Sequence, residues 1–133
     1  MNTAASTHGA TPDELRAAMV DRLAISGAVL TGAVEDAMRA VPRHLFVPDA
    51  APGEAYAEQA VVTKRAPDRT SLSCASGPGI VAMMLEALIV LPGQRILEIG
   101  AGTGYNSALV RHEAPLLRTG VKDLCLWPVA AGR

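Results

Sequence analysis

The chain has 133 residues, 50% of them hydrophobic and 3% aromatic, and its formal net charge is −1. A chain of this length and composition can bury a core, so a single domain is expected and global disorder is excluded. The near-neutral charge argues against a surface for nucleic acid or anionic membranes, because such surfaces carry an excess of basic residues.

The cysteines and the apolar stretches bear on where the protein works. Cys74 and Cys125 lie far apart and form neither a disulfide framework nor a zinc motif, which favours a reduced, cytoplasmic protein without metal. The N-terminus lacks the basic and apolar order of a secretion signal. The longest apolar stretch, residues 79–93, contains Glu86 and Pro92 and is too short to span a bilayer. The sequence therefore predicts a soluble protein without a membrane partner.

The first predicted helix follows a disordered lead-in at residues 1–10, which are small and polar. Thr11, Pro12 and Glu14 have the order of a capping box, with the proline at the first helical position. Apolar residues recur at helical spacing after them, and the helix is expected to end near Gly27. These signals open an N-terminal helical and irregular region that we assign to residues 11–75.

The rest of this region alternates short elements with turns. A second helix is predicted over residues 32–40, ended by a proline, and an extended segment over residues 41–48. Phe46 in that segment is expected to anchor the core. Residues 49–60 are predicted to be irregular, and Ala60 to Lys64 to form a short strand followed by a turn.

The remaining predicted elements are a third helix, a strand and a fourth helix. Ser76 is expected to cap the third helix, with Pro78 in its first turn. The inner side of that helix is predicted to carry Ile80, Met83, Met84 and Leu88. The segment Leu91 to Gly93 should end the helix, and residues 95–99 should form a buried strand. A helix from Tyr105 to about His112 follows.

Three alternating glycines follow the predicted strand. The dinucleotide pattern G-x-G-x-x-G would need a small residue at Tyr105, which disfavours a fragment of a nicotinamide-dependent oxidoreductase. Glu98 with Gly100, Gly102 and Gly104 gives E-x-G-x-G-x-G instead. That spacing resembles the first motif of S-adenosylmethionine-dependent methyltransferases of the Rossmann-like class, and a turn without ligand is the alternative.

Three ordered segments resemble the protein-L-isoaspartate O-methyltransferase family. Residues 37–48, with Ala55 and Tyr56 soon after, are similar to its N-terminal signature, and residues 76–84 to its Ser-x-Pro helix start. Residues 91–106 are similar to its cofactor motif. Residues 61–65 and 71–76 are similar to an actinobacterial branch, whose members methylate an aspartate side chain of a precursor peptide.

The resemblance implies an α/β fold: an N-terminal helical region, then the first strand–turn–helix of a Rossmann-like methyltransferase domain over residues 76–133. It implies an enzyme that transfers a methyl group from S-adenosylmethionine to an isoaspartyl or aspartyl carboxylate of a protein or peptide. A carboxylate acceptor is already ionised at neutral pH, so no metal or general base is needed. Such a reaction requires the protein to align donor and acceptor, and it does not require a catalytic dyad.

The resemblance also implies the site residues. The hydroxyl of Ser76 is the candidate catalytic group, donating a hydrogen bond to the acceptor carboxylate, and its capping role stays open beside that one. His44 is expected to be structural, and packing is favoured for the side chain of Tyr105. The residues expected at the cofactor are Glu98, Gly100, Gly102, Thr103, Gly104, Tyr105 and Asn106.

The resemblance extends from about residue 15 to 110 and then stops. The family continues to a second strand that ends in an acid for the ribose of the cofactor, and Asp123, in a possible strand over residues 121–127, is interpreted as a chance match. The partial domain favours a truncated or frame-shifted copy, with weak or no S-adenosylmethionine binding and no turnover. The alternative is a non-catalytic interaction module derived from such an enzyme.

Overall fold

The structure, a computed structural model, describes residues 9–91 and 94–113. Helices dominate this part of the chain, and two short strands form a hairpin in its middle. The elements in chain order are α1 (Pro12–Ser26), α2 (Gly32–Ala40), a 3₁₀ turn (Arg43–Phe46), α3 (Pro52–Ala55), β1 (Val61–Arg65), β2 (Ser71–Ala75), α4 (Pro78–Leu88) and α5 (Tyr105–Glu113).

The first two helices begin where the sequence predicts. Thr11 and Glu14 form the expected capping box, and Gly27 ends α1 in the left-handed conformation with a φ of 77°. The hydroxyl of Thr31 caps α2 by accepting from the backbone N–H of Val34. Both predictions are confirmed because capping depends on residues close together in sequence.

The core centres on α2, which packs against α1 and α5, and α3 and α4 pack against α1. α5 contributes Tyr105 and Leu109, which are 3% and 0% exposed. The buried apolar side chains of the other elements include Met19, Val20, Val34, Ala37, Met38, Tyr56, Val61, Val81, Ala82 and Leu85. Because α5 follows the glycine turn directly, this core also holds one end of that turn.

The hairpin matches the predicted strand and adds one that was not predicted. β1 pairs antiparallel with β2, and Val61 lies opposite Ala75. The predicted turn between them is present, since the N–H of Ala66 donates to the carbonyl of Thr70 at 2.8 Å. β2 leads directly to Ser76.

Two predictions for the segment between α2 and β1 are wrong. Residues 43–46 form a 3₁₀ turn rather than an extended segment, with the N–H of Leu45 donating to the carbonyl of Pro42 at 3.0 Å. Residues 52–55 form one turn of helix rather than irregular chain, because Pro52 sits in the first turn, where its missing N–H costs nothing. Phe46 is partly buried and packs against the core, as predicted.

The predicted cap and inner face of α4 are also wrong. Gly77 is the N-cap and no side chain caps the helix, while the carbonyl of Ser76 accepts from Arg43. The helix ends at Leu88, before the predicted Leu91. The four residues predicted to face inward are Ile80, Met83, Met84 and Leu88, and they are 55%, 55%, 46% and 46% exposed. Val81, Ala82 and Leu85 are buried instead, because α4 is apolar at almost every position apart from Glu86 and its neighbours select the buried face.

The strand predicted before the glycine turn does not form. Residues 94–98 have no regular secondary structure, and Leu97 and Ile99 are 65% and 86% exposed. A strand requires a neighbour to receive its backbone hydrogen bonds. In the described part of the chain, the one sheet is the hairpin of β1 and β2, which does not include these residues.

Several predictions fall outside residues 9–91 and 94–113, namely most of the lead-in, Asp123 and the possible strand over residues 121–127. Over the described residues, no helix combines the length and apolar character needed to cross a membrane.

Candidate functional site

The glycine turn has a backbone that only glycine adopts without strain. Gly100, Gly102 and Gly104 have φ angles of 77°, 58° and 86°. An L-residue in this conformation is disfavoured by contact between its Cβ and the backbone. A Cβ placed on Gly100 or Gly104 would meet no atom within 4 Å, so the space beside the turn is open. The geometry therefore fits a turn that a ligand approaches closely.

The turn ends in the first residues of α5, which fix its shape. The N–H of Gly104 donates to the carbonyl of Ala101 at 2.8 Å, and the carbonyl of Gly104 accepts from Ala108 at 3.1 Å. The first N–H groups of a helix lack partners within the helix and carry partial positive charge. An anionic or polar ligand group is favoured at this position.

Glu98 is attached to α5 through a side-chain hydrogen bond. The hydroxyl of Ser107 donates to its carboxylate across the turn. The contact links the segment before the glycines with the first turn of the helix after them. It leaves the second carboxylate oxygen of Glu98 available on a half-buried side chain.

Tyr105 points into the protein interior rather than to the open side of the turn. Its ring centre lies 5.6 Å from that of Phe46, and the guanidinium carbon of Arg43 lies 4.9 Å from it. Burial raises the pKa of Tyr105 to about 12. Its hydroxyl has no hydrogen-bond partner within the described ranges. Only the backbone of Tyr105 borders the turn, so a contact between its side chain and a cofactor is not supported.

Ser76 lies between β2 and α4, and it is exposed. Its backbone carbonyl accepts from Nη2 of Arg43 at 2.7 Å. With Gly77 as the N-cap, the Ser76 hydroxyl makes no capping bond and is available to a ligand. His44, in contrast, is engaged within the protein, because its Nδ1 lies 2.8 Å from the hydroxyl of Tyr56.

A cavity of about 210 Å³ borders the glycine turn at Thr103. Its lining combines β1 with the segment after the 3₁₀ turn and comprises Phe46, Val47, Pro48, Asp49, Ala50, Val61, Val62, Thr63 and Thr103. The sequence did not point to Asp49 or Thr63, which bring a carboxylate and a hydroxyl to this cavity. No spacing rule identifies them, because they come from different segments that meet only in the fold.

Arg43 is a third residue to which the sequence alone assigned no role. It lies within residues 37–48, but only the structure shows that it is 1% exposed and donates a hydrogen bond to the carbonyl of Ser76. A buried arginine has no reliable signal in a single sequence, since arginine is almost always exposed.

Comparison with known proteins gives a consistent result. Residues 14–115 match the family described as Protein-L-isoaspartate(D-aspartate) O-methyltransferase (PCMT). The protein-L-isoaspartate O-methyltransferase of Methylorubrum extorquens is 45% identical over 97 residues, which are 73% of this chain and 40% of that protein. Its counterpart in Aeropyrum pernix is 41% identical over 97 residues, 73% of this chain and 35% of that protein. The chain thus spans about two fifths of the length of these relatives.

A solved structure shares the fold. It is that of a Plasmodium falciparum protein described as a protein-L-isoaspartate O-methyltransferase, in complex with S-adenosyl-L-homocysteine. The two superpose with a TM-score of 0.65 at 21% sequence identity, over 77% of this chain and 43% of that one. The α/β fold class expected from the sequence is therefore confirmed, although the strand before the glycine turn is not formed here.

Proposed function

Because this chain belongs to the protein-L-isoaspartate O-methyltransferase family, as its motifs predict, we propose that it carries part of a carboxyl methyltransferase site. The donor is S-adenosylmethionine, and the acceptor is an isoaspartyl or aspartyl carboxylate of a protein or peptide. The observation that carries the proposal is the row of left-handed glycines leading into α5. Such a turn brings backbone N–H groups close to a bound ligand.

The residues present fit the donor. Gly100 and Gly104 leave open space beside the backbone, which suits the methionine end of S-adenosylmethionine. Glu98, Thr103 and the backbone of Asn106 adjoin the same turn and would contact that end. When bound, S-adenosylmethionine supplies a methyl group that its own sulfonium activates.

The residues of this chain then have the task of orienting the acceptor. The exposed hydroxyl of Ser76 donates a hydrogen bond to the acceptor carboxylate and fixes its direction. An isoaspartyl carboxylate is ionised at neutral pH and needs no base. Holding two reactants in line accounts for most of the acceleration that such a transfer requires.

We expect weak donor binding by the 133-residue chain. Residues 94–98 form no strand with another segment in the described region, so the segment that enters the turn lacks the hydrogen bonds of a sheet. Fixing such a segment against a ligand costs conformational entropy and weakens the observed affinity.

Calorimetric titration with S-adenosylhomocysteine tests the proposal, with Gly102→Val as the matched variant. Valine is strained at a φ of 58°, so the variant should lose the binding that the parent chain shows. Transfer of labelled methyl groups to an isoaspartyl peptide, compared with the same peptide containing aspartate, identifies the acceptor class. If no binding of S-adenosylhomocysteine is detected at the highest concentration used, the proposed function is contradicted. Micromolar binding to a folded monomer would contradict the expected weak affinity.

A non-catalytic interaction module is the second candidate, favoured by the exposure of Leu97 and Ile99 in the segment before the turn. In that case, the chain should form a stable complex with a full-length family member. The complex should persist in the Gly102→Val variant, which separates this function from donor binding.

A further inference from the structure

Arg43 is a charged side chain in the interior. It is 1% exposed, and in residues 9–91 and 94–113 it is the single buried charged residue. Burial lowers the pKa of its guanidinium, although arginine remains protonated in proteins. A buried cation costs free energy unless its donors are satisfied. The groups that satisfy Arg43 therefore indicate what it does.

Those groups belong to three separate segments. Nε donates to the carbonyl of Ala55, at the end of α3, at 2.8 Å. Nη2 donates to the carbonyl of Ser76 at 2.7 Å. The face of the guanidinium covers the ring of Tyr105, with its carbon 4.9 Å from the ring centre. Arg43 thus contacts both the residue proposed for the acceptor and the first residue of α5 after the glycine turn.

Only arginine provides this combination. Its planar guanidinium offers donors in a fixed fork and a flat face that stacks on an aromatic ring. A lysine at position 43 would supply a point charge and would not make both carbonyl bonds and the ring contact. Arg22 shows the contrast, because its side chain is 47% exposed and its polar contacts are with the carbonyl of Tyr56 at 3.0 Å and the carboxylate of Glu58 at 3.9 Å.

We propose that Arg43 is a positioning residue that holds Ser76 at a fixed separation from the glycine turn. This inference rests on the proposed function for its catalytic meaning, since in-line transfer requires acceptor and donor to be aligned to a fraction of an ångström. The structural part of the inference does not depend on activity. Ser76 and the glycine turn move as one unit because the side chain of Arg43 contacts both the carbonyl of Ser76 and the ring of Tyr105.

A paramagnetic label measures that separation. Cys74 is exposed and lies two residues before Ser76, so a nitroxide attached there, in protein with Cys125→Ser, broadens nearby backbone signals. The signals observed are the amides of Gly100, Gly102 and Gly104. The variants are Arg43→Lys, which removes the guanidinium that makes both contacts, and Tyr105→Leu, which removes the ring contact alone. Arg22→Lys is the matched control. Circular dichroism establishes that each variant is folded.

We expect both test variants to lose the parental pattern of broadening at the glycines and the control to keep it. Where the parent chain transfers methyl groups, kcat of Arg43→Lys should fall by about 100-fold with KM unchanged. Should the parent chain neither bind S-adenosylhomocysteine nor transfer methyl groups, the proposed function fails, while the paramagnetic broadening still decides the positioning role of Arg43. Unchanged broadening in a folded Arg43→Lys variant, or an equal change in Arg22→Lys, would overturn the inference.

Discussion

At the scale of single residues, Gly77 has the least room for a side chain among the glycines that the structure describes. A Cβ added there would lie 2.4 Å from the carbonyl oxygen of Glu58, although its φ of −57° suits any residue. Gly77→Ala should therefore destabilise the protein by about 1–3 kcal/mol, since two backbone segments must move apart. Urea unfolding measures the change.

The matched control for this substitution is Gly53→Ala in α3, where an added Cβ meets no atom within 4 Å. Alanine is the better helix former, so the control should be neutral or stabilising by up to about 1 kcal/mol. Equal effects at the two positions would show that the close approach to Glu58 is not a constraint.

Tyr105 gives a prediction for alkaline pH. Burial raises its pKa from 10.0 to about 12, so the folded state keeps the phenol proton at pH values where the unfolded chain releases it. Stability present below pH 10 is then lost as the pH rises through 12, by on the order of 3 kcal/mol in total. Tyr105→Phe should lack this loss while keeping the ring.

The same variant should be neutral or slightly stabilising at neutral pH, because it removes a buried hydroxyl that has no partner among the described residues. Denaturant unfolding of both proteins between neutral and alkaline pH measures the two effects. A parallel decline of wild type and variant would show that other groups cause the alkaline loss.

At the scale of elements, Glu86 connects α4 to the start of α2. Its carboxylate accepts from the N–H groups of Leu30 and Thr31 at 2.7 and 2.8 Å, and from the Thr31 hydroxyl at 3.2 Å. Burial alone would raise the pKa of Glu86, but these hydrogen bonds together lower it below 4.5. The stabilisation is thus present above pH 4.5 and lost as the pH falls through the lowered pKa.

Glu86→Gln should lower the free energy of unfolding by about 1 kcal/mol at neutral pH, a value limited by screening at this partly buried site. The difference from wild type should vanish in acid. Glu54→Gln, at an exposed position of α3, is the control and should change stability little at either pH. A pH-independent effect of Glu86→Gln would assign the loss to packing instead.

The elements that the sequence predicts are those with local determinants. The capping box at Thr11 and the proline after α2 specify their helices through residues a few positions away. The buried face of α4 depends on which neighbours pack against it, because apolar residues surround the helix. The conformation of residues 94–98 depends on a partner strand. Gly77 rather than Ser76 is the N-cap of α4, and the backbone at Gly77 lies close to the carbonyl of Glu58. These outcomes require contacts distant in sequence.

The same division separates the predictable part of the site from the rest. The spacing of Gly100, Gly102 and Gly104 indicates a ligand turn because the left-handed backbone itself demands glycine. Arg43 and Asp49 carry no such signature, since their relation to the turn arises from folding alone.

At the scale of the whole molecule, the outer face of α4 is a continuous apolar surface. Ile80, Met83, Met84 and Leu88 are each at least 46% exposed, and Ile89 beyond the helix is 67% exposed. Contiguous exposed apolar area of this kind promotes association and aggregation. We therefore expect the 133-residue chain to self-associate with rising concentration and to bind a hydrophobic dye.

The double variant Met84→Glu with Leu88→Lys tests this expectation. It places an oppositely charged pair four residues apart on the exposed face, which supports the helix and leaves the net charge unchanged. Sedimentation should show less association and dye fluorescence should fall, with the melting temperature retained. Leu85→Glu, on the buried face at 4% exposure, should instead unfold the protein, since it buries an unpaired charge. Unfolding of the double variant as well would mean that this face of α4 is covered in solution, and that the self-association has another origin.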